Sequence, residues 1–188
     1  MADALTPIFA LGLDINKFDV VGYGDGAQFA GLLGRKMKTK GLLGLLTLKR
    51  IVAIEPTSKA VSSTDAAFVM TIHTEDFISD GSVEGHANFY INGGVDQPRC
   101  GNFFLIYLLN KRCSYVLAQK YWIEAVKSNS ATIFPAKKCN NNNDFEKKTC
   151  NATDPIGYMN MKTDSNLRGK YYLNTNNESP YAKATADP

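Results

Sequence analysis

Apolar and polar residues alternate along two stretches in the middle of the chain, as they do in strands with one buried face. The apolar positions are Ala66, Phe68, Met70 and Ile72 in the first stretch and Val83, Ala87, Phe89 and Ile91 in the second. Between the two stretches lie Asp80 and Gly81, a dipeptide that favours a type I′ turn. The pattern therefore predicts a β-hairpin over residues 66–91, with Ile72 opposite Phe89.

Three other segments have a recognisable periodicity. Residues 103–109 are apolar on both faces of a would-be strand, which is typical of a central strand covered on both sides. Residues 114–127 fit either a helix or a strand, and their Lys, Glu, Ala and Gln content favours the helix. Residues 168–173 predict a last strand in an otherwise polar, asparagine-rich region.

Together these elements predict a mostly β protein. Short strands separated by glycine and proline indicate an antiparallel sandwich or barrel, of which a jelly roll is one form, with at most one or two short helices. The length of 188 residues suits a single domain. We expect residues 1–135 to form the β domain, and residues 136–188 to add an asparagine-rich polar loop and a C-terminal arm to that domain.

Positive charge is concentrated in one segment, although the whole chain carries a net charge of only +3. No acidic residue occurs between Gly26 and Ile54. The basic residues of this segment are Arg35, Lys36, Lys38, Lys40, Lys49 and Arg50. Such a segment attracts phosphates, so nucleic acid or an anionic surface is its candidate partner. The alternative is an edge strand whose alternating lysines prevent edge-to-edge association.

Candidate chemistry is sparse. The glycines of Gly22-Tyr-Gly-Asp-Gly26 depart from the G-x-G-x-x-G order of nucleotide-binding turns, so they indicate an ordinary turn after a short strand. The predicted hairpin register brings His73, Glu75 and His86 onto one polar patch. That patch could transfer protons or hold a metal, or it could be a polar cross-strand cluster without chemistry. Because no nucleophile motif accompanies it, we predict no catalytic residue, no metal and no cofactor.

All four cysteines lie in the second half of the chain. Cys139 and Cys150 bracket a polar loop that a disulfide would hold together, and we expect this bond if the protein matures outside a reducing compartment. Cys100 and Cys113 flank the apolar segment, and an extended chain between them would span about 43 Å, beyond disulfide reach. We therefore expect these two to stay free or to pair elsewhere.

The N-terminus does not resemble a secretory signal. It carries Asp3 where basic residues are expected, and Pro7 interrupts its short apolar stretch. No apolar run approaches the roughly 18 to 20 residues of a membrane helix, so we predict no membrane span. The expected location is a virion or the cytoplasm if the chain is unprocessed, or outside the cell if a signal was removed.

Without an enzymatic motif, these patterns favour a non-enzymatic structural or assembly subunit, such as a viral coat protein. Its expected partners are copies of itself or other assembly subunits. The first alternative is a small β-barrel that acts as a binding module for an apolar ligand. The third hypothesis is an enzyme that works through His73, Glu75 and His86.

Overall fold

The computed structural model describes residues 7, 11–40, 46–57, 61–76, 85–101 and 107–188. Its strands are β1 (Asp19–Tyr23), β2 (Arg50–Ile54), β3 (Phe68–His73), β4 (Ala87–Ile91), β5 (Pro135–Lys138), β6 (Gly157–Tyr158) and β7 (Gly169–Leu173). Its α-helices are α1 (Asp25–Lys40), α2 (Tyr107–Lys127) and α3 (Asn142–Glu146). The order β1, α1, β2 is that of a parallel strand pair joined by a crossover helix.

These strands form one mixed sheet in the order β1-β2-β3-β4-β7-β5-β6. From β1 to β7 the neighbouring strands run parallel, while β5 is antiparallel to both β7 and β6. The predicted antiparallel sandwich or barrel, with its jelly-roll variant, is therefore wrong. The polar region after residue 135 contributes strands to this sheet, and the predicted last strand is β7, which lies between β4 and β5.

Apolar clusters cover both faces of the sheet. On one face α2 packs on alternate residues of the central strands, including Val52, Met70 and Phe89. On the other face α1 packs on the intervening residues, including Ile51 and Val69. Strands that are buried on both sides belong to α/β folds, because crossover helices place apolar surface on each face of a parallel sheet.

Helix α1 is held against the sheet by an apolar stripe and by a charged contact. The buried stripe consists of Ala27, Ala30, Leu33 and Met37. The Arg35 guanidinium donates to both carboxylate oxygens of Asp65, at 2.9 and 2.8 Å. Asp65 is fully buried and also accepts from the backbone N–H of Ser62 at 2.9 Å. Asp65, which is 30 residues from Arg35 in sequence, thus neutralises part of the positive charge of the basic segment.

The basic segment is not an edge strand. Arg35, Lys36, Lys38 and Lys40 belong to α1, Lys49 precedes β2, and Arg50 is the first residue of β2. Successive residues of an α-helix are rotated by about 100°, so positions two apart point about 200° away from each other. Lys38 therefore points away from Lys36 and Lys40, and the edge-protection alternative does not apply to lysines of a helix.

The predicted hairpin is also wrong, because β3 and β4 pair in parallel. Ile72 does lie beside Phe89, since the parallel register and the predicted antiparallel register coincide at this one pair. Elsewhere the registers differ, and Met70 pairs with Ala87. Residues 77–84, which include the predicted turn, lie outside the described residues.

Helix α2 replaces part of the predicted central strand. Residues 107–109 are helical, residues 102–106 lie outside the described residues, and the helical alternative for 114–127 is the one observed. Because the chain does not run extended from Cys100 to Cys113, these cysteines are disulfide-bonded, with Cα atoms 5.6 Å apart. The expectation that they stay free or pair elsewhere is wrong. No helix among the described residues is both long and apolar enough to cross a membrane.

Helix α1 packs so closely on the neighbouring loop that Gly34 has no room for a side chain. A Cβ at Gly34 would lie 2.0 Å from the carbonyl oxygen of Asp65, whereas a Cβ at Gly26, on the same helix, would meet nothing within 4 Å. We expect Gly34→Ala to destabilise the fold by about 1–3 kcal/mol, despite the better helix propensity of alanine. Gly26→Ala is the matched control and should leave stability unchanged or raised by up to about 1 kcal/mol. Equal midpoints for the two variants in urea unfolding would contradict the packing.

Both disulfides of the structure can be checked by thiol counting. The bonds are Cys100–Cys113 and Cys139–Cys150, and they involve every cysteine of the chain. Denatured, unreduced protein should therefore contain no reactive thiol, and the same protein after reduction should contain four. Two free thiols in the unreduced sample would mean that one of the bonds does not form.

Candidate functional site

A sharp turn joins β1 to α1 at the carboxyl edge of the parallel strands. Its central residue, Gly24, has a φ of +56°, a conformation in which residues with side chains are strained. Its N–H donates to the Ile54 carbonyl at 2.9 Å, and its own carbonyl accepts from the N–H of Ala27 at 3.0 Å. A Cβ at Gly22 would lie 2.3 Å from the carbonyl oxygen of Gly26, so the strand and the helix approach too closely for a side chain there. The glycines thus specify the turn.

This turn has the geometry of a nucleophile elbow. In the motif G-x-S-x-G, a serine lies on a strained strand-to-helix turn above a parallel sheet. Residues 22–26 read Gly-Tyr-Gly-Asp-Gly, which keeps both flanking glycines and has a glycine at the centre. Gly24 therefore occupies the position of the nucleophile and carries no side chain that could attack an ester.

The space above Gly24 is occupied by Tyr115 of α2. The Tyr115 hydroxyl oxygen lies 2.0 Å from the position that a Cβ on Gly24 would take. Tyr23, the residue before Gly24, packs its ring against that of Tyr115 with centroids 4.6 Å apart. The Tyr23 hydroxyl also donates to the Tyr115 carbonyl at 3.2 Å. In a Ser-His-Asp site the imidazole lies against the nucleophile, so Tyr115 stands where such a site has its general base.

Glu55 is the acid nearest in sequence to the carboxyl end of β2. It is fully buried and has a φ of +46°. Its Oε1 accepts from the Thr74 backbone N–H, and the Thr74 hydroxyl lies 2.7 Å both from that oxygen and from the Ser114 carbonyl oxygen. These contacts join the ends of β2 and β3 to α2, so the carboxylate holds these three elements together.

Acidic neighbours and burial act on both tyrosines. Burial, followed by the contact with Tyr115 and the charges of Glu55 and Glu75, raises the pKa of Tyr23. Burial and the charges of Glu55, Asp25 and Glu75 raise the pKa of Tyr115 as well. Both phenols are therefore protonated at neutral pH.

The residue after the nucleophile position is held by side-chain contacts. In the elbow motif its backbone N–H helps to stabilise the oxyanion of the tetrahedral intermediate. Here that residue is Asp25, whose carboxylate accepts from Thr57 at 2.6 Å and from Gln28 at 3.2 Å. The edge therefore has the shape of an acyl-transfer site, with Gly24 at the position of the nucleophile and Tyr115 above it.

Helix α2 is anchored firmly at this edge. Lys111 is buried and pairs with Asp76 and with Asp96, whose carboxylate lies at 3.1 Å. Burial alone would lower the pKa of Lys111, but its bonds to the two carboxylates raise it. The Cys100–Cys113 disulfide fixes the same turn of the helix two residues before Tyr115.

The predicted His73, Glu75 and His86 patch does not form one site. His73 is at the carboxyl end of β3, where it is buried, stacks on Tyr90 at 4.9 Å, and lies 2.8 Å from the Thr71 hydroxyl. His86 precedes β4 and therefore lies at the opposite, amino edge of the sheet, where its Nδ1 accepts from Val69. Among the described residues, no three His, Cys, Asp or Glu side chains converge on a metal position.

The other predicted site residues are spread over the fold. Arg35 pairs with Asp65, and Lys38 donates to the Thr64 carbonyl. Lys49 and Arg50 lie at the amino edge of the sheet, away from Gly24. Cys139 and Cys150 are disulfide-bonded beside the buried Phe145.

Sequence reasoning missed Gly24, Glu55 and Tyr115. The available signal was the spacing Gly-x-Gly-x-Gly after a strand, which matches the elbow if the central serine is replaced. Comparing the glycines only with nucleotide-binding turns concealed that match. Tyr115 carries no sequence signal, because its role depends on how α2 packs.

A parallel sheet with an elbow at its carboxyl edge and an acid after the next strand defines an α/β hydrolase-type protein. A family model described as Lipase matches residues 9–181, so the chain belongs to the Lipase family. The chain is 28% identical over 171 residues to Phospholipase A1 of Vespa crabro, an alignment that covers 86% of this chain and 54% of the relative. It is 26% identical over 189 residues to Lipase member H of Danio rerio, covering 92% of this chain and 41% of the relative. The chain thus spans about half the length of the curated relatives it matches.

Family membership overturns the functional expectation from sequence. The relatives are named as phospholipases and lipases, which points to lipolytic chemistry in the family and not to a structural subunit. The expected viral coat or assembly protein and the small β-barrel module are therefore wrong.

The contact between the elbow and α2 can be tested by a double-mutant cycle. Gly24→Ser should lower the free energy of unfolding by about 1–3 kcal/mol, because the new Cβ meets the Tyr115 hydroxyl at a positive φ. Adding Tyr115→Ala removes the obstacle, so the double variant should be more stable than the sum of the single variants predicts. Strict additivity in urea unfolding would show that the two residues do not meet.

Proposed function

We propose that this chain binds phospholipid surfaces on the framework of a lipase and does not hydrolyse their ester bonds. The observation that carries the proposal is the position of Gly24 at the elbow with the Tyr115 hydroxyl directly above it. Ester hydrolysis by a serine enzyme needs a hydroxyl nucleophile at the first position and an imidazole base at the second. This chain has neither group there.

The relatives support phospholipid as the ligand class. Two that match 86% of this chain are named Phospholipase A1 and Phospholipase A1 VesT1.02. A chain with such a framework and no nucleophile can still bind lipid, since binding and chemistry depend on different residues. Because the chain spans about half of those relatives, the proposal concerns the surface that this portion contains.

The outer face of α2 supports the same ligand. Leu108 and Leu109 are 64% and 60% exposed, and Val116, the neighbour of Tyr115, is 42% exposed. A groove of about 320 Å³ on this face is lined by Arg99, Leu109, Arg112, Cys113, Val116, Leu117 and Lys120. Exposed apolar side chains beside cations match the acyl and phosphate layers of a phospholipid surface.

The absence of hydrolysis is tested with phosphatidylcholine vesicles and with a short-chain nitrophenyl ester. The purified chain should release no fatty acid or nitrophenol above the uncatalysed background. The nitrophenyl ester is a reactive substrate, so even a weak nucleophile would be detected. Turnover that remains proportional to protein concentration after repeated purification would overturn this part of the proposal.

Binding is tested by sedimentation with the same vesicles, with and without anionic lipid. We expect the chain to sediment with both, and more strongly with the anionic vesicles because of the cations in the groove. The double variant Leu108→Gln/Leu109→Gln should weaken binding by at least about tenfold, since it removes apolar area that the lipid covers.

A matched control uses exposed apolar residues of α1. Phe29 and Leu32 are 66% and 45% exposed, so Phe29→Gln/Leu32→Gln removes comparable apolar area from a different helix. This control should bind vesicles like the unmodified chain. If both double variants lost the same affinity for vesicles, non-specific hydrophobic adsorption, and not the α2 face, would account for the binding.

A further inference from the structure

A second cleft lies at the amino edge of the sheet, away from Gly24. Its volume is about 330 Å³. Its walls are formed by Lys49, Arg50, Ala67, Phe68, Ser165, Asn166 and Arg168. Arg50 and Phe68 are the first residues of β2 and β3, and Arg168 directly precedes β7. Three parallel strands therefore deliver their starting residues to this one cleft.

The cleft is strongly cationic. Lys49, Arg50 and Arg168 line it, and no acidic side chain does so among the residues that the structure describes. Two carboxylates contact lining residues without lining the cleft themselves. Asp19 lies 4.0 Å from the Lys49 ammonium, and the carboxylate of Asp164 accepts from the Asn166 N–H at 2.9 Å. The lining residues therefore carry an excess of positive charge.

Arg50 gives the cleft a fixed wall. Its side chain is only 6% exposed and lies over the Phe68 ring, with its guanidinium carbon 5.9 Å from the centroid. The guanidinium donates to the carbonyl oxygens of Met161 and, at 3.5 Å, Thr163. Its buried Nε–H has no hydrogen-bond acceptor within the described part of the chain.

His86 lies next to the Phe68 wall of the cleft and responds to the charge of Arg168. It stacks on Phe68, with ring centroids 5.9 Å apart. Burial, followed by the positive charges of Arg168 and Lys38, lowers the pKa of His86. Positive charge that disfavours an imidazolium favours an anion at the same place.

We propose that this amino-edge cleft is a binding site for a phosphate group. Arginine and lysine side chains are the usual partners of phosphate oxygens, and Ser165 and Asn166 add neutral hydrogen-bonding groups to the wall. The site is distinct from the α2 face. The proposal does not depend on whether the chain hydrolyses esters. The phosphate belongs either to a free anion or to a lipid headgroup.

The first experiment titrates the intact chain with inorganic phosphate and follows the His86 ring by NMR. An anion in the cleft should raise the pKa of His86 towards its ordinary value, because it offsets the charge of Arg168. Lys49→Gln/Arg168→Gln should weaken phosphate binding by roughly tenfold or more, about 1.4 kcal/mol for each tenfold step. Arg50 stays unchanged, because its buried contacts support the fold.

The control Lys147→Gln/Lys183→Gln removes the same charge from residues outside the cleft. It should bind phosphate like the unmodified chain and show the same rise in the pKa of His86. Equal affinities for the two double variants, or an unchanged pKa of His86 at saturating phosphate, would overturn the proposal.

A second experiment separates the two sources of phosphate. Short-chain phosphatidic acid, kept below its micelle concentration, is compared with inorganic phosphate in the same titration. Tighter binding of the lipid, lost in Lys49→Gln/Arg168→Gln, assigns the site to a headgroup. Equal or weaker binding of the lipid assigns the site to a free anion. Failure of vesicle binding at the α2 face leaves either result intact, because the lipid is here a dissolved monomer.

Discussion

The side-chain amide of Gln97 is the interaction on which the carboxyl edge depends. Its Nε2 donates to the carbonyl oxygens of Thr74 and Ile91, both at 2.8 Å, at the ends of β3 and β4. Its Oε1 accepts from the Tyr121 hydroxyl at 3.1 Å, and its backbone N–H donates to the Ser114 hydroxyl at 3.0 Å. Burial raises the pKa of Tyr121 to about 12, so this phenol remains a donor. A shift of α2 would leave these buried polar groups unpaired, at a cost of about 1–3 kcal/mol of folding free energy for each group. The helix is therefore held in one position over the sheet.

The elbow and its surroundings are held in place by interactions that do not involve a nucleophile. The sharp turn is specified by the close approach of Gly22 to Gly26 and by the left-handed backbone of Gly24, neither of which requires a serine. Glu55, the acid at this edge, instead holds the ends of β2 and β3 to α2 through Thr74. The frame is thus stabilised by interactions that are independent of ester chemistry, so the reacting groups can change while the fold remains.

The period-2 pattern located β3 and β4 correctly but predicted the wrong direction for β4. The polar positions between the apolar ones suggested a solvent-facing side, yet Thr71, His73 and Asn88 are buried. Their polar groups are hydrogen-bonded to one another, since the Thr71 hydroxyl donates to Asn88 at 2.9 Å and lies 2.8 Å from the His73 ring. A polar residue therefore does not identify an exposed face when its neighbour on the next strand is also polar. Strand direction depends on the crossover connection, which periodicity does not report.

The candidate site was less predictable than the strands for a related reason. Gly24 and Tyr115 are 91 residues apart, and only the packing of α2 brings them together. An elbow with serine at its centre carries a local signature, whereas glycine at the same position resembles an ordinary turn. The disulfide between Cys100 and Cys113 follows the same logic, because its geometry depends on a helix that the apolar run at 103–109 did not indicate.

The basic segment shows how charge that is continuous in sequence separates in space. Arg35 is directed to Asp65 and Lys38 to a backbone carbonyl, so these two cations of α1 are engaged within the fold. Lys49 and Arg50 follow α1 in the chain, but the start of β2 carries them to the amino edge, where Arg168 joins them from the far end of the sequence. The resulting positive potential comes from residues that are far apart in sequence, so no single sequence window contains all of them. Concentration of cations in a cleft with low-dielectric walls makes the potential stronger than on an open helix face, which favours a compact anion over an extended polymer.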